Sequence, residues 1–350
     1  MDKPLGSRAT VRDVAAETGV SIATVSRVLN DHASVSPETR DLVRQAVQRL
    51  GEHAPGPRAT RARSTVGSVY VRCPYLLTDY FGLIVSSIAE TLELYGKQLV
   101  LNAGEASQQA AVLPGLHARP GISGAIMILP PEPSEQLVAL RSRKFPFVVV
   151  DPRETMPRDI VAVSAAHFAG ARKLSRHLVE LGHRRIGVIA GPKDWLASND
   201  RLAGHSSAMA DVGVLPSAAL VRSAHATVEA GYAAAQELLG LAERPTALVC
   251  FNDKAAIGAL AAAHEHGLRV PYDLSIAGFD DIDLATASHP MLTTVRQPLQ
   301  EMGRMAVTLL IRLLERHRLE ALHVELATEL VVRESTGPVP AGPRVSPRQP

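Results

Sequence analysis

Apolar positions in the first fifty residues recur every three to four residues, the period of an amphipathic helix, and fall into three short groups. Val11, Val14 and Ala15 form the first. Thr10 stands before them as a cap, with Asp13 near the positive end of the helix dipole. Gly19 permits the left-handed turn that ends this helix. Val25, Val28 and Leu29 form a second stripe behind the cap residue Ser21, with Val20 and Val25 spaced as a hydrophobic staple. Ile22, Ala23, Ser26, Arg27 and Asn30 fall on the other face. Leu42, Val43, Ala46, Val47 and Leu50 form the third stripe, which Ser36 caps, Pro37 enters and Gly51 stops. Residues 1–51 therefore read as a small three-helix unit. Its first two helices are joined by a tight turn, and the second presents small and polar side chains outward, a shape that fits a DNA major groove.

From Val66 the pattern changes to short apolar runs alternating with amphipathic stretches. Strands are predicted at Val66–Cys73, Gln98–Asn102, Gly124–Leu129, Phe147–Val150, Ile186–Ala190, Ala247–Phe251 and Ser275–Gly278. Helices are predicted at Phe81–Tyr95, Ser164–Leu181, Gly231–Leu239 and Lys254–His266. This alternation implies parallel sheets covered on both faces, and so many units exceed one sheet. The expected fold is an all-α headpiece followed by an α/β core of two Rossmann-like lobes over 66–336. Residues 52–65 form a linker interrupted by Pro55, Gly56 and Pro57. The tail 337–350 carries five prolines and is expected to be disordered.

Composition narrows the picture. Of 350 residues, 46% are hydrophobic and 21% charged, which excludes wholesale disorder. A net charge of +2 argues against a general polyanion coat, but RATRAR at 58–63 gathers three arginines beside the headpiece, suited to phosphates. Cys73 and Cys250 each lie in an apolar run and read as buried thiols of a reducing compartment. No stretch resembles a signal peptide or a membrane span, so the expected location is cytoplasmic. The acidic run Asp280, Asp281 and Asp283 and the thirteen histidines lack metal-ligand spacing, and neither a phosphate loop nor a nucleophile elbow appears. No enzyme activity, metal or cofactor is expected.

Several motifs together carry a resemblance. Asp13-Val14-Ala15, Gly19-Val20-Ser21, Thr24 through Asn30, Val35-Ser36 and Thr39-Arg40 match the headpiece of the lactose-repressor/galactose-repressor family of bacterial transcription regulators. GHRRIGVIAGP at 182–192, RLAG at 201–204, RPTALVCFND at 244–253, GLRVPYDLSIAGFDD at 267–281 and LTTVRQP at 292–298 resemble that family's periplasmic-binding-protein-like core. The resemblance implies a homodimer on a palindromic operator, released by a small effector bound between the lobes. Arg27 is the expected base reader, with a phosphate contact as its alternative, because the apolar Ile22 and Ala23 contact thymine methyls but cannot make bidentate hydrogen bonds. Thr10, Arg12, Ser21, Thr24, Ser26, Asn30 and Thr39 are expected at phosphates or as caps, and for those at helix starts capping alone is an equal reading. Arg61 lies in the basic linker. Beside it Ala62 stands where relatives carry a leucine that wedges into the minor groove, and alanine is too small for that wedge.

On the effector side, Asp280, Arg201 and Asn252 follow strand ends, where ligands of such folds sit. A carboxylate, a guanidinium and an amide suit the hydroxyls of a sugar; the alternative for Arg201 and Asp280 is a structural ion pair. Trp195, the only tryptophan, would stack on a pyranose face, the alternative being a simply packed loop residue, with Tyr80 and Phe81 as a second aromatic wall and Asp151 as a further polar contact. The expected effector is an uncharged carbohydrate. Two alternatives stand beside it: a purine- or nucleoside-responsive regulator of the same family, and a sugar-binding transport protein.

Overall fold

The computed structural model describes residues 11–21, 24, 25, 28, 35–50, 67–105, 108, 111–215 and 217–339. The chain divides into two units, Met1–Val66 and Gly67–Pro350.

In the first unit a helix spans Val11–Thr18. Gly19 ends it at φ +69°, its N–H reaching the Ala15 carbonyl at 3.0 Å. Ser21 Oγ accepts the Thr24 N–H at 3.1 Å, and Thr24, Val25 and Val28 are helical. A further helix runs over Pro37–Leu50. The core is small and aliphatic: Val14, Val25, Val28, Val43 and Ala46 are buried, with Ala15, Val20, Val35 and Val47 packed around them. Leu42, expected inside, is exposed. Val43, Ala46 and Val47 complete the i, i+3, i+4 stripe, and Leu42 lies about 40° beyond its edge at Ala46.

In the second unit, strands β1 (Ser68–Cys73), β2 (Leu99–Ala103), β3 (Ile122–Ile128), β4 (Phe147–Val150), β5 (Ala162–Ala165) and β11 (His323–Leu326) form a parallel sheet in the order β11-β5-β4-β3-β1-β2. The helices Asp79–Leu94 and Leu299–Leu314 cover one face and bury its Val, Ile and Leu side chains. In the second lobe, β6 (Ile186–Ala190), β7 (Val221–Ser223), β8 (Ala247–Cys250) and β9 (Ser275–Ala277) form a parallel sheet ordered β7-β6-β8-β9. Its faces are covered by the pairs His167–Glu180 with Leu196–Ala210, and Val228–Leu239 with Asp253–Glu265. Strands β10 (Thr294–Arg296) and β12 (Glu329–Val331) pair antiparallel beside it. Among the described residues the chain crosses between lobes three times: after β5, after β10 and after β11.

Both helix pairs of the second lobe pack at backbone distance. A Cβ on Gly204 would stand 2.3 Å from the Phe168 carbonyl oxygen, and one on Gly258 would stand 2.1 Å from that of Val228. Only glycine fits either crossing.

Two expectations are corrected. Ser164, predicted to open a helix, lies in β5; the helix begins at His167, after the crossing between lobes. The tail does not lose order at Gly337. Its N–H donates to Ser275 Oγ at 3.0 Å, and the Val339 N–H reaches the Leu181 carbonyl at 2.9 Å, because Ser335 is anchored in the core just before. Residues 340–350 lie outside the described residues.

Candidate functional site: the cleft between the lobes and the headpiece

A cleft enclosing ≈ 590 Å³, part of it open to solvent, lies where the strand ends of the two lobes face each other. All seven side chains singled out from the sequence line it: Tyr80, Phe81, Asp151, Trp195, Arg201, Asn252 and Asp280. Thr78, Leu129, Phe251, Lys254 and Ile282 join them.

Arg201 projects from the Leu196–Ala210 helix and is held on every side. Its guanidinium carbon lies 3.8 Å from the ring centre of Phe279 and 4.4 Å from that of Phe251. One nitrogen donates to the Phe251 carbonyl at 2.5 Å, and Nη1 lies 3.7 Å from Asp280 Oδ1. Arg201 also donates to His167 Nδ1 at 3.3–3.4 Å. That leaves His167 Nε2 to carry the proton, which it donates to Asp151 Oδ1 at 3.1 Å. The Tyr80 hydroxyl donates to the other Asp151 oxygen.

The two carboxylates titrate in opposite directions. Burial pushes Asp280 up to about 6, against the pull of Arg201 and of Gln297, which donates to it at 2.6 Å. Burial also raises Asp151, but His167, Tyr80 and Arg201 together outweigh it and hold its carboxyl below the usual value. Beneath Asp280, the fully buried Asp253 is raised well above the usual aspartate range by burial and then by the Asp280 charge. Its oxygens accept Thr294 Oγ1–H at 2.5 Å and the Ile282 N–H at 3.0 Å. Asp151 (φ +47°) and Asp280 (φ +118°) also hold left-handed backbone that few non-glycine residues adopt, a strain concentrated at this cleft.

The aromatic walls differ from expectation in detail. Phe81 stacks on Tyr75 at 4.5 Å, so one of its faces is already covered. Trp195 is half-buried, edge-on to Tyr75 and Phe251, with Arg153 over its ring at 5.6 Å. Asn252 lines the cavity, but its side chain is engaged. Its Oδ1 caps the Asp253–Glu265 helix through the Ala255 N–H at 2.9 Å, and Nδ2 donates to the Ala226 carbonyl. The expected amide contact is thus a helix cap.

In the headpiece, the hydroxyls of Ser21 and Thr24 are 2.8 Å apart and those of Ser36 and Thr39 are 2.9 Å apart, each pair at an exposed helix start. Arg12 lies on the first helix. Thr10, Ile22, Ala23, Ser26, Arg27, Asn30, Arg61 and Ala62 lie outside the described residues.

Residues 10–53 match the family model for bacterial regulatory proteins of the lacI family, and residues 175–336 match that of a periplasmic binding protein-like domain. The HTH-type transcriptional repressor CytR of Escherichia coli (strain K12) is 32% identical over 334 residues, covering 95% of this chain and 97% of the relative. The HTH-type transcriptional repressor PurR of Klebsiella pneumoniae (strain 342) is 33% identical over 335 residues, covering 95% and 98%. The chain belongs to the lacI family. Among solved structures, a transcriptional regulator CelR–cellobiose complex aligns with a TM-score of 0.71 at 30% identity, over 94% of this chain and all of that one. The Lac repressor dimer bound to operator and the anti-inducer ONPF aligns at 0.70 and 29%, over 95% and 100%. This LacI-family chain is a DNA-binding transcription regulator, with a helix-turn-helix headpiece and a ligand-binding core of two lobes.

Sequence reading missed His167, Gln297 and Lys254. Gln297 and Lys254 stood in or beside segments already noted as family-like, LTTVRQP and RPTALVCFND. His167 had no local signal, since its role depends on Asp151 and Arg201, residues from two different lobes.

Among the described residues, no helix is long and apolar enough to cross a membrane.

Proposed function

We propose that this regulator is a repressor whose operator affinity is set by a small uncharged carbohydrate in the cleft between its lobes. The observation that carries the reading is the balance of charge in the cavity. Arg201 is paired with Asp280 and Lys254 with Asp79, so neither cation is left over for a phosphate or carboxylate. What the cavity still offers is carboxylate acceptors for hydroxyl donors, and aromatic faces for the apolar side of a sugar ring. Asp151, Arg201 and Asp280 carry polar recognition, Trp195 and Tyr80 wall the ring, and Asn252 holds the helix start at the cavity edge. The relative solved with cellobiose, and a LacI-family regulator solved with bound ribose at a TM-score of 0.69 and 25% identity, support this class.

A nucleoside offers the same hydroxyls with a base in place of the second ring. The aromatic faces suit it, so it is the reading to test alongside. On the DNA side, Arg27 reads bases, while Ser21, Thr24 and Thr39 bind phosphates or cap, as do Thr10, Arg12, Ser26 and Asn30. The chain acts as a homodimer on a palindrome. Strand β2 lies at the sheet edge and exposes Val100 and Leu101, and the Asp79–Leu94 helix before it exposes Leu83 and Leu94, apolar surface suited to self-association. Ligand favours one setting of the lobes, and typical coupling of about 1–3 kcal/mol would shift operator affinity roughly 5–150-fold.

The test is calorimetric titration of the full chain with cellobiose, ribose, other neutral saccharides, nucleosides and sugar phosphates. Operator binding is then measured with each ligand that binds. Neutral saccharides are expected to bind and to weaken operator binding. Preference for the phosphates overturns the carbohydrate reading, preference for nucleosides transfers the site to that class, and tightened operator binding reverses the inducer sign.

A further inference from the structure

Lys254 and Asp79 belong to different lobes, yet their side chains meet over the cleft. Lys254 lies in the first turn of the Asp253–Glu265 helix, and its Nζ is 3.0 Å from Thr78 Oγ1 and 3.5 Å from Asp79 Oδ2. Thr78 and Asp79 open the Asp79–Leu94 helix of the first lobe. A lysine in a first turn faces the positive end of its own helix dipole, so local helix energetics do not account for it. The compensation comes from the other lobe.

Thr78 is equally out of place as a local residue. It stands at the N-cap, where a threonine hydroxyl normally accepts a backbone N–H, but it makes no such bond and accepts from Lys254 instead. Asp79 holds φ +26°, left-handed backbone for a residue with a side chain. All three residues depart from the ordinary local arrangement, and what they gain is the contact between lobes.

We propose that Lys254 and Asp79 form an electrostatic latch that gates the effector cleft. The lobes are also tied elsewhere, by the buried Asp151–His167 hydrogen bond and by contacts around Arg153, and those ties are of another kind. The Leu196 N–H donates to the Arg153 carbonyl at 2.7 Å, and Arg153 lies over Trp195 and Tyr75 as well as 3.4 Å from Asp194. Backbone bonding and stacking resist salt. The Lys254–Asp79 pair has both side chains about one-third exposed, at 29% and 33%, so salt screens it and it opens first. Closed, it holds the lobes together over Thr78 and keeps the ammonium neutralised. Open, it admits the ligand. The latch regulates the site proposed above, and it rests on that reading only in assuming that a ligand enters there.

Trp195 lines the same cleft and is the chain's only tryptophan, so acrylamide quenching of its fluorescence reports access to the cleft without any effector. In the ligand-free full chain, Lys254→Met and Asp79→Asn are each expected to raise the quenching constant about twofold, and about 0.5 M KCl to raise the wild type but not Lys254→Met. Lys254→Arg keeps the cation and is expected to quench as the wild type does. Circular dichroism checks that each variant is folded. Unchanged quenching in both Lys254→Met and Asp79→Asn overturns the latch, as does equal quenching in the Arg and Met variants. Because no effector is added, such a result leaves the carbohydrate reading standing, and a failed saccharide titration leaves the latch standing.

Discussion

Replacing Asp280 by asparagine should stabilise the core at neutral pH while weakening effector binding. The carboxyl is 6% exposed and is raised by burial from 3.8 to about 6. A shift of that size corresponds to about 3 kcal/mol, at about 1.4 kcal/mol per tenfold change in proton affinity. The sign follows from which state binds the proton more tightly. The folded chain does, so above pH 6 the ionised carboxylate opposes folding by the full amount. That opposition shrinks as pH falls from about 6 to about 4 and is gone below. Arg201 and Gln297 already pull in the other direction and are included in the net value, so the isosteric amide, which still accepts from Gln297, should recover most of it.

Urea denaturation of the wild type and Asp280→Asn between pH 4 and 8 measures this directly. Comparing the two cancels groups such as His205, a buried imidazole pushed down to about 4, which weakens both proteins as acid is added. The variant should be more stable by up to about 3 kcal/mol at pH 7.5, with the difference closing towards pH 4. Ligand affinity should fall about 10- to 100-fold, since a charge-assisted hydrogen bond becomes a neutral one. A variant no more stable than the wild type at pH 7.5, or a difference independent of pH, would refute the reasoning.

Arg27→Ala should flatten sequence preference while sparing salt-dependent non-specific binding; a binding array of operator variants reads both, and unchanged discrimination removes Arg27 as the reader. Gly204→Ala forces a methyl against the Phe168 carbonyl oxygen and should destabilise the core by about 1–3 kcal/mol in urea denaturation. Ser335→Ala leaves the buried Thr293 N–H and Ile276 carbonyl without their hydroxyl partner and should lose about 1–3 kcal/mol, whereas a tail with no role before Val339 would make it neutral.

What sequence reading recovered follows from how loudly burial writes itself into side-chain type. Strands buried on both faces, such as FVVV in β4, are continuous apolar runs and were placed to the residue. The β5 segment AVSA and the three-residue TVR of β10 are too short or too small to show a period. The Leu196–Ala210 helix is the instructive miss. Its buried positions, Ala197, Ser198, Arg201, Gly204, His205, Ala208 and Met209, do keep helical spacing. All but Met209 are small or polar, because one end faces the cleft and much of the rest packs against the His167–Glu180 helix at backbone distance, so a hydrophobic periodicity search passes over it. Residues whose identity announces chemistry, Arg201, Asp280 and Trp195, were singled out from the sequence and line the cleft. His167, whose meaning lies in its neighbours, was not.

Those neighbours bear on how a ligand is coupled to DNA. Asp151 follows β4 in the first lobe, and Arg201 and Asp280 belong to the second. His167 stands at the first crossing between lobes and Gln297 at the second. Asp151, His167, Arg201 and Asp280 form one continuous contact chain from lobe to lobe, so a ligand touching both carboxylates acts on side chains anchored where the chain crosses. A bound molecule shifts the balance of lobe settings only by contacts that differ between them, and contacts spanning this chain meet that condition. Such a role also accounts for features that oppose stability. Asp280 is buried at a raised proton affinity above a second buried carboxyl, and Asp151 and Asp280 hold left-handed backbone. A core selected for stability alone would carry apolar residues there. Charge kept buried between the lobes, against that gradient, is what a site must keep if its occupancy is to move the lobes.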